Sequence, residues 1–501
     1  MAVATGADAR TAASSSRRPS VGTRPPVVVA AVAVVAVGAF LALCAVLRGF
    51  VTDDSWISVR YAENLARGSG PVWNPGGERV EGYSNPGLVA VEALADLAGW
   101  SAMSAARALG VLCGAACVLA VLLRGREVAG VRAAAAGCVL TACSAPFALW
   151  GVGGLETLPV ALLLTLAVLE LARPDGGRPV VAAVLLALLP WLRPEGLVVA
   201  GAIVLASEAA GLWRRPTRAA TVRRLAWLAG LPVLSQALLE LVRLGVYGHL
   251  LPNSVLYKSG TGELTTVAEA FVEQSALVLV LALSGALVAR GRTRLLAVPF
   301  LAYLLGSLGT LDSANGWSRF FQPVWPQLAL LAGVLIARAA PRWWAAATLT
   351  GATVLCTLVA LPGNLDEVDG SQSRYMSCRV AARADVARWL VRETPPTTTF
   401  SVSDAGLLPA RAGGRTAYDA FLLNDALLQR TGPLPPEERA AIVHDRRPDV
   451  VVLASREQDR LVPAYPTDAA LAAHPAMADY RLAYTGSGGA DCSYHLMAFR
   501  R

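Results

Sequence analysis

The chain has 501 residues, of which 55% are hydrophobic and only 16% are charged, and its formal net charge is +8. This composition is more apolar than that of ordinary water-soluble domains. It excludes a protein that is water-soluble throughout, and the apolar residues fall instead into runs of about 20, the length of a helix that crosses a bilayer.

The first apolar run, residues 27–47, follows several arginines. It is too long for the apolar part of a secretory signal, so we interpret it as a retained membrane span. Ten further spans are predicted at residues 105–123, 132–149, 156–172, 179–192, 197–212, 225–243, 275–289, 295–311, 324–338 and 343–361. The sequence therefore predicts an α-helical polytopic membrane protein with about 11 transmembrane helices, a domain that occupies residues 27–362.

Arginines predict how this domain is oriented. Residues 1–26 are rich in Ser, Arg and Ala and are predicted to form a disordered cytoplasmic tail. If the first span therefore runs from inside to outside, arginines occur in every predicted inner loop. This bias predicts a multi-pass protein of the plasma membrane with a cytoplasmic N-terminus. Because topology explains the basic residues, nucleic acid is not expected as a partner.

The segment that follows the last predicted span, residues 363–501, should lie outside the cell. Residues 399–403 and 449–454 are typical of short buried strands, and residues 437–444 of a helix between them. We therefore predict a small C-terminal extracytoplasmic α/β domain. Cys378 and Cys492 lie near its two ends, where an oxidising compartment permits a disulfide, but the sequence leaves open whether the two are bridged.

The first outer loop, residues 49–104, is long and begins with an acidic pair. Asp53 and Asp54 directly follow the first span, and repulsion between adjacent carboxylates raises the pKa of one toward that of a general base. The alternative is a solvated cap at a helix end. Residues 73–85 combine aromatic, amide and acidic side chains, which is typical of sugar recognition and also of a well-ordered turn.

Polar clusters occur at the outer ends of the other predicted spans, at residues 153–157, 193–196, 247–258 and 312–319. Ionisable groups at membrane depth are costly, so we interpret them as parts of one shared outer cavity. Lys258 is the only lysine in the chain. With Arg193 and Arg319 it would suit a lipid-linked phosphate or pyrophosphate, although a single lysine is also explained by chance.

Several other site types lack their usual motifs. The four histidines, His249, His444, His474 and His495, have no zinc-type spacing, and the chain has no Walker-type phosphate loop and no Gly-x-Ser-x-Gly elbow. Zinc chemistry, ATP-driven transport and hydrolase chemistry therefore have no motif to support them.

The stretch DDSWISVRYA at residues 53–62, followed by NPGGERVEGYSN at residues 74–85, resembles the GT-C membrane glycosyltransferases. Within them it is most similar to the actinobacterial terminal β-(1→2)-arabinofuranosyltransferases and their uncharacterised relatives. Further matching segments are GLET at 154–157, RPEG at 193–196, YGHLLPNS at 247–254 with Lys258, and Arg319-Phe320. The Gly82-Tyr83 pair departs from the Ala-Asn of the arabinosyltransferases, which makes arabinose a weaker expectation than glycosyl transfer.

The resemblance implies a polyprenyl-phosphate sugar as donor and a cell-envelope glycan as acceptor, with inversion at the anomeric carbon. Asp53 or Asp54 would be the catalytic base, with Asp53 preferred. Glu81 would position the acceptor or help to hold a divalent cation, and no metal ligands are assigned. The substrate-binding residues implied by the matching segments are Arg60, Tyr61, Glu81, Tyr83, Asn85, Glu156, Arg193, Glu195, His249, Asn253, Lys258 and Arg319.

Three alternatives remain open at this stage. A polyprenyl-phosphate-mannose-dependent mannosyltransferase would share the same motifs. A transporter or flippase for lipid-linked sugars would also need many spans and ionisable groups on the outer face. A glycan-binding scaffold without catalysis would place the function in the C-terminal domain.

Overall fold

The computed structural model describes residues 26–209, 218–258, 264–306, 319–368, 374–489 and 492–501. The predicted tail, apart from Pro26, and residues 312–318 of one predicted polar cluster lie outside these ranges. So does the side chain of Lys258, although its backbone ends a described helix.

Before residue 369, the regular secondary structure of the described residues consists of helices. They are α1 (Pro26–Val46), α2 (Asp53–Ala66), α3 (Pro86–Leu97), α4 (Ala102–Leu123), α5 (Gly125–Ala129), α6 (Val131–Ala142), α7 (Ala145–Val152), α8 (Thr157–Ala172), α9 (Pro179–Ala187), α10 (Leu189–Leu192), α11 (Gly196–Ala209), α12 (Arg218–Tyr247), α13 (Asn253–Lys258), α14 (Leu264–Val288), α15 (Val298–Gly306), α16 (Trp325–Ala339) and α17 (Trp343–Val368), with 3-10 helices at Gly291–Ala297 and Arg319–Val324. Where it is described, each predicted span is mostly helical, with interruptions at residues 143–144 and 188.

Fewer helices than predicted are long enough to cross a membrane. In the described ranges, four are long and apolar enough, at Val27–Val46, Ala102–Ala129, Ala219–Tyr247 and Arg319–Ala339, and α6 with α7 would make a fifth. The predicted count of eleven is thus not established. Helix breaks are the physical reason: the chain bends by 58° between α6 and α7, where the Ser144 hydroxyl caps α7 just before Pro146.

Small residues let the membrane helices approach closely. A Cβ atom added at Gly137 in α6 would lie 2.7 Å from the Cα atom of Leu330 in α16. The Leu330 Cα atom belongs to the backbone of a packed helix, so it cannot move aside without a large cost in free energy. This is the small-residue packing expected between membrane helices.

We therefore expect Gly137→Ala to destabilise the protein, because overpacking a tight contact costs about 1–3 kcal/mol. Thermal unfolding in detergent should show a lower Tm than wild type. Gly201→Ala is the matched control, since Gly201 has no neighbour within 4 Å of its added Cβ. Equal Tm values for the two variants would show that the α6–α16 contact is looser than described.

The segment from residue 374 to 501, here called the C-terminal unit, combines helices with a small sheet. Its helices are α18 (Arg374–Glu393), α19 (Leu407–Arg411), α20 (Leu427–Thr431), α21 (Pro436–Asp445) and α22 (Pro466–Ala473), with a 3-10 helix at Pro475–Asp479; its strands are β1 (Phe400–Val402), β2 (Ala417–Asp419), β3 (Val450–Ser455), β4 (Arg481–Ser487) and β5 (His495–Arg500). The strand order is β2-β1-β3-β5-β4. β1 pairs parallel with β2 and β3, and β5 pairs antiparallel with β3 and β4.

β3 is the central strand, and all of its residues, VVVLAS, are buried. An unbroken apolar run of this kind is typical of a strand covered on both faces. The predicted strands coincide with β1 and β3, and the predicted helix lies within α21. A disulfide joins Cys378 in α18 to Cys492 just before β5, with their Cα atoms 5.8 Å apart.

The C-terminal unit shares its core with the first outer loop. Ile57 and Tyr61 of α2 and Trp73 of the loop belong to the same buried apolar cluster as Leu390 and Phe400 of the C-terminal unit. The predicted boundary at residue 363 also falls inside α17, which runs to Val368. Shared burial therefore fixes the C-terminal unit against α2, the helix that carries the acidic pair.

Candidate active site

The acidic pair forms the first turn of α2. The helix begins at Asp53 after Thr52, and carboxylates are favourable there because the N-terminal end of a helix carries partial positive charge. The Asp53 side chain is 16% exposed and that of Asp54 is 44% exposed. Although adjacent in sequence, the two carboxylates therefore have different environments.

Asp53 contacts the C-terminal unit. Its two carboxylate oxygens accept hydrogen bonds from the backbone N–H groups of Gly406 and Leu407, each at 3.0 Å. The Nε atom of Arg383 lies 3.4 Å from Oδ1. Burial raises the pKa of Asp53, and the positive charge of Arg383 opposes that rise.

Asp54 contacts the membrane domain, where its Oδ2 atom lies 3.5 Å from Nη1 of Arg319. Arg319 also donates from Nη2 to Oε1 of Glu156 at 2.9 Å. The same Glu156 oxygen accepts from Nη1 of Arg193 at 3.1 Å, and Arg193 forms a second ion pair with Glu195. The Glu156 carboxylate thus joins the Arg193 guanidinium to that of Arg319, which also pairs with Asp54.

An amide completes this group. Asn85, which precedes α3, donates from Nδ2 to Oε2 of Glu156 at 2.8 Å and accepts from the Ser58 hydroxyl at 2.9 Å. The arginine cluster, as we name it, consists of Asp54, Asn85, Glu156, Arg193, Glu195 and Arg319. Its members come from α2, the turns before α3, α8 and α11, and the start of the 3-10 helix Arg319–Val324.

Aromatic faces lie against both arginines of the cluster. The Arg193 guanidinium carbon is 4.9 Å from the centre of the Phe320 ring. That of Arg319 is 5.7 Å from the centre of the Trp150 ring. Such contacts stabilise a cation that is largely removed from water, and they limit the directions in which it can move.

A second group of predicted residues joins the first outer loop to its neighbours. The Glu81 carboxylate pairs with Arg243 at 2.9 Å, and burial raises the pKa of Glu81 to about 6 against the opposing charge of Arg243. The Tyr83 and Tyr247 hydroxyls are 2.7 Å apart. These side chains are therefore already paired with protein groups.

Tyr61 and Asn253 contact the C-terminal unit. The Tyr61 hydroxyl donates to Oδ1 of Asn424 at 3.1 Å, and the Asn253 amide donates to the backbone oxygens of Leu423 and Asp425 at 2.9 and 2.8 Å. His249 is exposed and lines a shallow groove that also includes Glu81 and Asn253.

Arg60 contacts other residues than those of the arginine cluster. It donates to the backbone oxygens of Trp73 at 2.6 Å and Arg415 at 3.2 Å, to that of Pro409, and to the Asn74 side chain at 2.9 Å. Its guanidinium therefore braces the outer loop against the C-terminal unit, whereas the sequence assigned it to substrate.

No cluster of three or more His, Cys, Asp or Glu side chains suited to a metal ion occurs in the described ranges. Glu81, for which the sequence left open a role in positioning the acceptor or in holding a divalent cation, is paired with Arg243.

Sequence reasoning missed Arg383, Gly406, Leu407 and Arg243. Gly406 and Asp53 are 353 residues apart along the chain, and Arg243 lies within an apolar run that was interpreted only as a membrane span. Neither the spacing nor the residue type of these four pointed to the acidic pair or to Glu81, so only the folded chain reveals them.

Similarity to known proteins was found by sequence and by structure. Residues 370–496 match the model of a domain of unknown function, DUF8728. A terminal β-(1→2)-arabinofuranosyltransferase of Mycobacterium tuberculosis is 32% identical over 240 residues, which cover 43% of this chain and 36% of that protein. The chain thus matches about a third of the length of this curated relative.

Three solved structures share the fold. ArnT of Cupriavidus metallidurans bound to undecaprenyl phosphate has a TM-score of 0.59 at 15% identity, covering 94% of this chain and 97% of that one. An oligosaccharyltransferase of Archaeoglobus fulgidus has a TM-score of 0.55 at 14% identity and covers 85% and 69%. The mycobacterial arabinofuranosyltransferase AftD has a TM-score of 0.52 at 17% identity and covers 95% and 40%.

These neighbours confirm the resemblance first indicated by the acidic pair and the loop that follows it. Together with the apolar helices, they establish that the protein is a multi-pass membrane protein. The chain has the fold of the GT-C membrane glycosyltransferases.

Proposed function

We propose that this protein is a glycosyltransferase that moves a sugar, with arabinofuranose favoured, from a polyprenyl-phosphate donor to a cell-envelope glycan. The reaction would occur on the outer face of the plasma membrane, with the N-terminus in the cytoplasm and the C-terminal unit outside. The observation that carries the proposal is the half-exposed Asp54 carboxylate beside the Arg319 guanidinium, which shares Glu156 with Arg193.

Arg319 and Arg193 are the proposed phosphate-binding groups, together with Lys258. A guanidinium presents parallel N–H donors that match phosphate oxygens. In the described state these arginines pair with Glu156, Glu195 and Asp54. The pair between Arg319 and Asp54 is the longest of them at 3.5 Å, so an incoming phosphate would replace Asp54 more readily than Glu156.

Asp54 is our choice for the base, in place of Asp53, which the sequence alone had favoured. Both oxygens of Asp53 accept hydrogen bonds from backbone N–H groups. Asp54 is more exposed, and a phosphate that draws Arg319 away would leave its carboxylate free to accept a proton.

The proposed reaction is a displacement at the anomeric carbon. The acceptor hydroxyl oxygen forms the new C–O bond while its proton passes to Asp54. The bond between the anomeric carbon and the phosphate oxygen breaks, and its electron pair leaves with the polyprenyl phosphate. Attack opposite the departing phosphate inverts the configuration. Arg319 and Arg193 would stabilise the negative charge that grows on the leaving group.

Two of the similar proteins support the proposal. The matched mycobacterial protein is named as a terminal β-(1→2)-arabinofuranosyltransferase, and the ArnT structure is described as bound to undecaprenyl phosphate. The chain also lacks a nucleotide-binding loop of Walker type, as suits a lipid-linked donor.

The test is transfer by the purified protein reconstituted in liposomes. Polyprenyl-phosphate-arabinose and polyprenyl-phosphate-mannose are supplied separately with a cell-envelope glycan acceptor, and products are identified by mass spectrometry and by the configuration of the new linkage. We expect an inverted arabinosyl product. A mannosyl product would mean that the transferred sugar is mannose and not arabinose. Translocation of either lipid without sugar transfer would mean that the protein is a flippase and not a glycosyltransferase.

A further inference from the structure

The C-terminal unit reaches the first turn of α2 with two backbone hydrogen-bond donors and one cation. The backbone N–H groups of Gly406 and Leu407 and the Nε atom of Arg383 all approach the carboxylate of Asp53, at 3.0, 3.0 and 3.4 Å. Donors that converge on both oxygens of one carboxylate make a site for an anion.

The backbone at Gly406 has no room for a side chain. A Cβ atom built there would lie 2.7 Å from the Asp53 carboxylate carbon and would also overlap the Asp53 backbone. These other close atoms are the backbone O and C atoms of Asp53, which cannot rotate away as a side chain can. Glycine is thus what allows the loop before α19 to touch α2 directly.

Arg383 is held in place from several sides. It is buried, and its Nε atom donates to Oδ2 of Asp404 at 2.9 Å. Its guanidinium carbon lies 5.3 Å from the centre of the Tyr494 ring. The disulfide between Cys378 and Cys492 ties α18, which carries Arg383, to the segment that carries Tyr494. The cation therefore belongs to a braced structure.

We propose that the C-terminal unit acts as a clamp on α2, in which Arg383 and the N–H groups of Gly406 and Leu407 grip Asp53 and so position Asp54 for catalysis. Arg383 is a positioning residue, since it acts on the reaction through Asp53. The proposal gives a role to the segment that matches a domain of unknown function. It rests on the proposed function only in that Asp54 is taken as the base.

The clamp requires Asp53 to be ionised, because N–H donors and a cation bind the carboxylate form. The groups that act on its charge are Arg383 and Arg379 of α18, Asp404 and Tyr465 of the C-terminal unit, and Asp54 beside it. Arg383 lowers the pKa of Asp53 against burial, so its loss would raise that pKa further and release the clamp at a higher pH.

The experiment compares Arg383→Gln, Arg383→Lys and Arg388→Gln with wild type in the full-length protein. Arg388 lies on the same helix, exposed and paired only with Asp385 three residues earlier, so its loss removes an equal charge outside the clamp. The first readout is kcat between pH 5 and pH 8. The second is hydrogen exchange of the backbone amides of α2, which needs no activity.

We expect Arg383→Gln to move the acidic limb of the kcat profile upward by about one pH unit or more, and to speed exchange in the first turn of α2. Arg383→Lys should restore much of both, and Arg388→Gln should match wild type. A lower kcat with an unmoved acidic limb and unchanged exchange would overturn the clamp. If wild type transfers no sugar, the proposed function fails, and hydrogen exchange still decides whether Arg383 holds α2.

Discussion

Asp54→Asn is expected to reduce sugar transfer by about 100-fold or more, because the variant keeps the size of the side chain but cannot accept the proton of the acceptor hydroxyl. The loss should appear in kcat. The substituted side chain is 44% exposed in the wild type and its ion pair is 3.5 Å long, so Tm should change little. We would measure kcat from initial rates at saturating donor and acceptor, and Tm by thermal unfolding, for the variant and the wild type.

Two comparisons sharpen this result. Asp96→Asn alters an acid at the far end of α3 in the same outer loop and should leave the rate unchanged. Asp53→Asn keeps one acceptor oxygen but turns the other into an N–H donor that faces a backbone N–H donor. It should therefore disturb the first turn of α2 as well as the rate. Normal transfer by Asp54→Asn would remove Asp54 from the mechanism.

The membrane helices could be located from the sequence because hydropathy is a local property. Apolar runs of nearly helical span length gave α1 and α4 within a few residues. The number of crossings could not be obtained in this way. A break such as the one between α6 and α7 depends on how Ser144 caps the new helix and on packing of the two halves against their neighbours.

The sheet was predicted only where its strands are buried on both faces. β1 and β3 are buried throughout and mostly apolar, and both were predicted, whereas β4 is exposed along much of its length and has no comparable pattern. β2 has only three residues. Short or exposed strands are defined by the partner that they pair with, and that partner is distant in the chain.

For the site, the sequence indicated the right segments but not how they are paired. The clusters containing Asp54, Glu156 and Arg193 were expected to share one cavity, and the structure brings these three residues and Arg319 into one network. The different surroundings of Asp53 and Asp54 could not be read from the sequence, because the Asp53 partners at residues 406 and 407 come from a distant part of the chain. Adjacent carboxylates look equivalent until their surroundings are known.

Gly82 shows how a departure from a family motif gains meaning in the fold. A Cβ atom at this position would lie 2.8 Å from the side-chain carbonyl carbon of Asn424 and 3.0 Å from the Tyr61 hydroxyl oxygen. An alanine at this position would push Asn424 away from Tyr61. The glycine thus fits the contact between the outer loop and the C-terminal unit.

The second large effect is expected at Arg319, where stability and donor binding can be separated. Arg319→Gln leaves Glu156 buried with one cationic partner, Arg193, in place of two. Loss of a charged hydrogen bond to a buried group costs about 1–3 kcal/mol, so Tm should fall. The donor KM should rise by roughly tenfold or more, since one of the guanidinium groups proposed to bind the phosphate has been removed.

The double variant Glu156→Gln with Arg319→Gln separates the two effects. Removing the carboxylate together with the guanidinium avoids an undercompensated buried charge, so Tm should return toward the wild-type value. Donor binding should remain poor, because no guanidinium has been restored. Arg338→Gln is the control, as Arg338 lies exposed at the other end of the same helical segment. If the double variant recovers donor KM along with Tm, Arg319 serves the fold alone, and the phosphate must be bound by other groups.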